Sequence, residues 1–230
     1  MIPTEKAKEL YGQIVLAVDR LEKTNEEFKT SHSPRTFRGG GPSEFIHERL
    51  IRNLSDLPFR LTFSFGQTQP LLQLLKNNEL DLLIATQHVA SSGLVFTRLT
   101  TESFILVGSH LSKTFIDPTT VQTELESMKW ISYGPDIPII RRFWMETFGA
   151  RSTINPTYVV PDLRVVKTMV IQGLGISVLP DYLIHDELLA GTLKVLFTPP
   201  KPVVNDLWVV HRSSDSNDSA FIEFLDLLTI

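Results

Sequence analysis

The chain of 230 residues contains no cysteine, which excludes disulfides, thiolate nucleophiles and cysteine-ligated zinc. It has no basic block: 22 Lys and Arg stand against 26 Asp and Glu, a formal net charge of −4, which argues against a nucleic-acid-binding surface of its own. The six histidines, at 32, 47, 88, 110, 185 and 211, are scattered without an H-x-x-x-H or H-x-H pair, so no metal site is expected. There is no G-x-S-x-G elbow and no ligand cluster, so the chain does not read as an enzyme and no cofactor is expected. A Ser-His-Asp set assembled only by folding would leave no mark in the spacing. No apolar run reaches the ~18 residues of a membrane span and no secretory segment opens the chain. A cytoplasmic protein without a membrane partner is expected.

What is present describes a globular protein, with 42% hydrophobic and 21% charged residues, long enough for one large or two small domains. Its most informative stretch is Leu71 to Thr86. Leu71, Leu74 and Leu75 follow the spacing of one helix face, with Thr68 as candidate N-cap and Pro70 in the first turn. After the Asn77-Asn78 break, Leu82 to Ala85 is a short unbroken apolar run, the pattern of a strand buried on both faces. Thr86 stands at that strand's carboxyl end, where open α/β sheets bind ligands.

Before this stretch, residues 4 to 28 carry a long helical pattern with Leu10, Ile14, Ala17, Leu21 and Phe28 on one seam, widened by Tyr11, Val15 and Val18. The seam suits a coiled-coil partner, with packing on its own domain as the alternative. From Thr36, strand and helix signals alternate. Thr36 to Arg38 reads as a short strand, and Gly39-Gly40-Gly41-Pro42-Ser43 as a turn into a helix with Ile46, Leu50 and Leu54 on one face. That turn is either an anion-binding helix start or a plain tight turn. Phe59 to Phe65 alternates like an edge strand and ends at the turn Gly66-Gln67-Thr68.

Beyond Thr86 the pattern gives strands at Leu94 to Leu99, Phe104 to Val107, Trp130 to Tyr133, Thr157 to Val160, Ile176 to Leu179, Leu193 to Phe197 and Leu207 to Val210. Helices are expected over Val121 to Met128, Ile139 to Phe148, Asp162 to Gln172 and a closing segment with Phe221, Phe224, Leu225 and Leu228. Gly173-Leu174-Gly175 follows a helix instead of a strand, the wrong order for a dinucleotide fingerprint. Arg141 and Arg142, one turn into their helix, are either anion partners or solvated surface cations.

Taken in order, these pieces resemble the LysR-type transcriptional regulators over essentially the whole chain. Asn78-Glu79-Leu80-Asp81-Leu82-Leu83-Ile84-Ala85-Thr86 is similar to that family's G-x-L-D-x-A-I strand, with Asn78 in place of the usual glycine. Val170 to Pro180 matches its V-x-x-G-x-G-I-x-x-L-P segment, and Ala190-Gly191-Thr192-Leu193 its x-G-x-L. Pro3 to Ala7 and the helix after it resemble the family's linker helix.

The resemblance implies an α/β fold like the type II periplasmic binding proteins, with two Rossmann-like subdomains joined by two hinge crossings after a long N-terminal linker helix. Residues 1–30 would be the dimerising helix, 36–107 with 208–230 subdomain I, and 108–207 subdomain II, with hinges near Gly108 and Leu207. A small polar or anionic effector, carboxylate or sulfate-like, would meet Pro42, Ser43, Gln67, Thr68 and Thr86 from one side and Tyr133, Asp136, Ile137 and Pro138 from the other. The chain is expected to form a homodimer or homotetramer and to reach DNA only through a helix-turn-helix domain that it lacks. A stand-alone solute-binding protein is the rival reading.

Overall fold

The computed structural model describes residues 34–51, 59–117 and 120–226, together with positions 4, 6, 11, 14, 15 and 18. The chain divides into two compact units, 1–37 with 56–62 and 38–55 with 63–230. In the first, Tyr11, Ile14, Val15 and Val18 are helical, and Tyr11, Ile14 and Val18 are exposed. Leu10, Ala17, Leu21 and Phe28, expected on the same seam, lie outside the described residues, as do Leu54 and Leu228. Phe37 and Phe59 meet edge to face at 5.0 Å.

A mixed sheet in the order β2-β1-β3-β9-β4-β7 carries the rest, with β8 also pairing β4. Its strands are β1 (Thr36–Gly41), β2 (Arg60–Phe65), β3 (Leu82–Ala85), β4 (Leu94–Ser109), β7 (Ser177–Pro180), β8 (Leu193–Phe197) and β9 (Val203–Arg212). A separate parallel pair joins β5 (Ile131–Ser132) to β6 (Tyr158–Val159). The helices are α1 (Ser43–Phe45), which runs into a π-helical turn at Ile46–Leu50, then α2 (Thr68–Lys76), α3 (Val121–Glu126), α4 (Pro138–Phe148), α5 (Leu163–Ile171), α6 (Asp181–Leu189) and α7 (Ser219–Asp226).

Several elements differ from the sequence pattern, each for a physical reason. The glycine run is not a turn but the end of β1: Gly39 pairs with Leu82 and Gly40 with Leu83. A Cβ on Gly40 would stand 2.7 Å from Leu80 Cδ1, so the missing side chain lets Leu80 pack across the strand. The strands expected at Leu94 and Phe104 are one, because the polar residues between them, Thr100 to Ser103, pair with Leu207 to Val204 of β9. The second of these expected strands does not stop at Val107: Gly108 lies inside β4 opposite Lys194. Helix α6 escaped detection because its buried residues, Leu183 and Ile184, are adjacent and make no i, i+3 or i, i+4 stripe.

Strand β4 organises the core by alternation. Phe104 and Leu106 enter one apolar cluster with Trp130, Phe143, Trp144 and Val178. Val107 enters another, with Leu163, Val166, Leu179 and Ile184. At the other end of the sheet, Leu71, Leu72 and Leu75 of α2 pack on Leu83, Ala85 and Val210. Each half therefore has its own apolar packing while sharing the β4–β9 ladder.

The turn between α2 and β3 explains two family-motif positions. Asn78 has φ 60°, the left-handed conformation that glycine adopts without strain and asparagine tolerates better than most side chains. Three residues on, Asp81 accepts hydrogen bonds from Arg38 N at 2.9 Å, Arg38 Nε at 3.0 Å and Arg38 Nη2 at 2.7 Å. Arg212 Nη2 reaches it at 3.2 Å while Nη1 caps the carbonyls of Leu75, at 2.9 Å, and Leu80. Burial alone would raise this carboxyl, but the bonds from Arg38 and Arg212 outweigh it and hold Asp81 below its ordinary value. Its stabilising contribution is present at neutral pH and is lost as pH falls through that lowered value. Asp81→Ala, which deprives both guanidinium groups of this acceptor, is expected to cost about 3 kcal/mol in urea unfolding at pH 7.

Candidate functional site

Thr86 is the first residue beyond β3, so its backbone groups leave the ladder and need other partners. Its N–H donates to Thr68 Oγ1 at 3.1 Å, and its carbonyl accepts from Asn205 Nδ2 at 3.3 Å. The two threonine hydroxyls meet at 3.2 Å. Thr68 is not the N-cap of α2: Gln67 holds that position, and no side chain caps the helix. The Thr68 hydroxyl is committed to Thr86 instead, leaving buried Thr68 as the anchor and partly exposed Thr86 as the group presented. The expected pair is thus brought together, in the role of one positioned hydroxyl beside a helix start.

The other expected residues sit in different settings. Pro42 and Ser43 lead into α1, where the Ser43 hydroxyl donates to Glu44 Oε2 at 3.2 Å. Gln67 is exposed and in extended conformation. Tyr133 is half buried after β5, within electrostatic range of Glu44 and Asp162. Asp136 faces solvent and pairs with Arg141 at 3.3 Å. Pro138 opens α4, as its fixed φ favours. Ile137 is buried among the apolar side chains of Trp144 and Ile140, so its side chain faces the core. It also has φ 46°, a left-handed conformation that is strained for a β-branched residue.

Arg142 and three side chains that the sequence did not single out, Asn205, Glu102 and Tyr182, complete this region. Asn205 Nδ2 also donates to Glu102 Oε1 at 2.9 Å, and Asn205 Oδ1 accepts from Arg142 Nη1. Arg142 therefore crosses from α4 to β9, where it also approaches the Val204 carbonyl at 3.5 Å, while Arg141 stays outside. Tyr182, at the start of α6, packs edge to face on Phe45 at 5.4 Å. Two cavities, of about 100 and 310 Å³, open around Arg49, Asp181 and Tyr182, the smaller one also reaching Glu102. None of the nine expected effector residues lines either cavity.

The electrostatics here are acidic. Burial pushes Glu44 up; bonds from its own amide and from Ser43 oppose the shift, and Asp162 adds to it. Burial pushes Glu102 up to about 7; Asn205 opposes, Glu44 and Asp181 reinforce, and Arg142 opposes. Tyr182 is held well above its ordinary value by burial, then by the charges of Glu102, Glu44 and Asp181. By contrast, Asp162 is held low, chiefly by Arg164, and caps α5 through Arg164 N at 2.9 Å.

The raised Glu102 contributes stability that is fully present below its unfolded value near 4.5 and is lost as pH rises through about 7. Glu102→Gln, which carries no charge to bury, is expected to be more stable than the parent at pH 8 by at most about 3 kcal/mol. Thermal unfolding across pH should show the difference falling away toward pH 4.5.

The description "LysR substrate binding domain" fits residues 50–229. The HTH-type transcriptional regulator AbaB of Streptomyces antibioticus is 28% identical over 222 residues, 92% of this chain and 74% of that protein. The regulatory domain of CrgA, a LysR-type transcriptional regulator from Neisseria meningitidis, superposes with a TM-score of 0.68 at 18% identity, covering 85% of this chain and 98% of that one. ArgP from Mycobacterium tuberculosis superposes at 0.73 with 15% identity, covering 91% and 71%. The fold is thus that of LysR regulatory domains, the type II periplasmic-binding-protein kind. No helix among the described residues is long and apolar enough to cross a membrane. Because the family match spans well over half of its length, the chain belongs to the LysR substrate-binding domain family.

Proposed function

We propose that the chain senses a small polar effector in a cleft between two subdomains and relays its binding to a DNA-binding domain. The observation that carries this reading is the convergence on Thr86 of Thr68 from α2 and Asn205 from β9, in a member of the LysR substrate-binding family. Effector contacts come from Pro42, Ser43, Gln67 and the Thr86 hydroxyl on one side. Tyr133 and the backbone of the Asp136–Pro138 loop face them from the other. Glu44 and Glu102 beside the cleft favour a ligand that brings hydrogen-bond donors over one that is only anionic.

In this reading the hinge crossings lie near Gly108 and Leu207, on strands β4 and β9, whose shared ladder has an irregular register between Arg98 and Thr100. Effector binding shifts the balance between arrangements of the subdomains by ~1 to 3 kcal/mol, the usual size of such coupling. The exposed helical residues Tyr11, Ile14 and Val18 supply a surface for pairing with a second copy. A stand-alone solute-binding protein is not favoured, since the relatives are transcriptional regulators.

Native mass spectrometry of the purified protein for a retained small molecule, followed by a thermal-shift screen around its chemical class, tests the reading. Thr68→Val combined with Thr86→Val is expected to abolish binding of the molecule found while the chain stays folded. Unchanged affinity in calorimetry would remove both hydroxyls from the site.

A further inference from the structure

The side-chain amide of Asn205 is used at both ends. Its nitrogen donates to the Thr86 carbonyl and to Glu102 Oε1, and its oxygen accepts from Arg142. Asn205 and Glu102 are direct cross-strand partners in the β4–β9 ladder, a short distance from its irregular register. Adjacent residues point to opposite faces, so Thr101 and Asp206 form their own bond, at 2.8 Å, on the other side. One link thus runs from Glu102 through Asn205 to Thr86 and, through Thr86, to Thr68.

Glu102 is ringed by groups that disfavour its charge. Glu44 on α1 and Asp181 on α6 add like charge, and Tyr182 lines the same small cavity. Arg142 faces it from α4 but donates to Asn205. Arg49 lines the same small cavity. Ionised, Glu102 only accepts, holding the Asn205 amide. Protonated, it becomes a donor on one oxygen and a weaker acceptor on the other. The amide that also holds the Thr86 carbonyl then has a different partner strength to satisfy.

We propose that Asn205 is a positioning residue that carries the protonation state of Glu102 to Thr86, so that the turn presenting the Thr86 hydroxyl responds to pH. This rests on the cleft reading above for its meaning, but the relay itself is independent of any effector. The position of Glu102 near 7 places the response close to neutrality. His88 lies two residues beyond Thr86, its ring 4.8 Å from that of Trp208.

The test is NMR of the whole chain between pH 5.5 and 8.5, following the Glu102 side-chain carboxyl carbon and the Thr86 backbone amide. In the parent both should move with one shared midpoint. In Glu102→Gln, isosteric with the parent, the Thr86 step should fall at least threefold. In Asn205→Ala the Glu102 carboxyl should still titrate while the Thr86 step falls at least threefold. A Thr86 step that survives in Glu102→Gln belongs to another group and overturns the proposal, as does one that survives in Asn205→Ala. A Glu102 carboxyl that shows no step in this window overturns it as well. Should Asn205→Ala fail to fold, the Thr86 response in Glu102→Gln decides. No effector enters these readouts, so their outcome is separate from whether the cleft binds a small molecule.

Discussion

The antiparallel ladder between β4 and β9 is the constraint on which the rest of the molecule depends. It runs from Leu94 opposite Arg212 to Phe104 opposite Val203 and joins the apolar packing of α2 and β3 at one end to that of α4, α5 and α6 at the other. Two antiparallel strands are a thin connection between two packed halves. Separating them would strand their backbone groups.

What distinguishes this ladder is the chemistry at its middle. A strand shared by two cores could be apolar throughout, yet between Arg98 and Ser103 it carries charges and hydroxyls on both faces. One face is held by Arg98 and Thr101 on exposed Asp206, a contact open to water and to salt screening. The other is held by buried Glu102 and Asn205, where the same types of group are costly to leave unsatisfied. Strain adds a further element nearby: Ile137 keeps a left-handed backbone at the head of α4, held there by its buried side chain.

The sequence disclosed the parts of this design that are local. A short apolar run ending in a polar residue marked β3 and Thr86, and the family motif around Asp81 is explained by two arginines that need a buried carboxylate. Segments whose meaning is tertiary stayed hidden. Three glycines read as a turn because only the crossing of Leu80 reveals that they are a strand under close packing. Glu102 and Asn205 carry no local mark, since nothing near either in the chain tells that each bonds a partner about a hundred positions away. Tyr182 was missed with its whole helix, whose polar and apolar residues are interleaved without a single face.

The place of β9 in the sheet has a consequence for how the molecule comes into being on the ribosome. Strand β3 is flanked by β1, made early, and by β9, made last, while Val210 and Arg212 complete the packing and the carbonyl caps around α2. Until synthesis has passed residue 212, the first half exposes an unpaired edge on its most apolar strand. An unpaired apolar edge of that kind is a template for pairing with other chains, so the last strand of the sheet is also what closes its most adhesive edge.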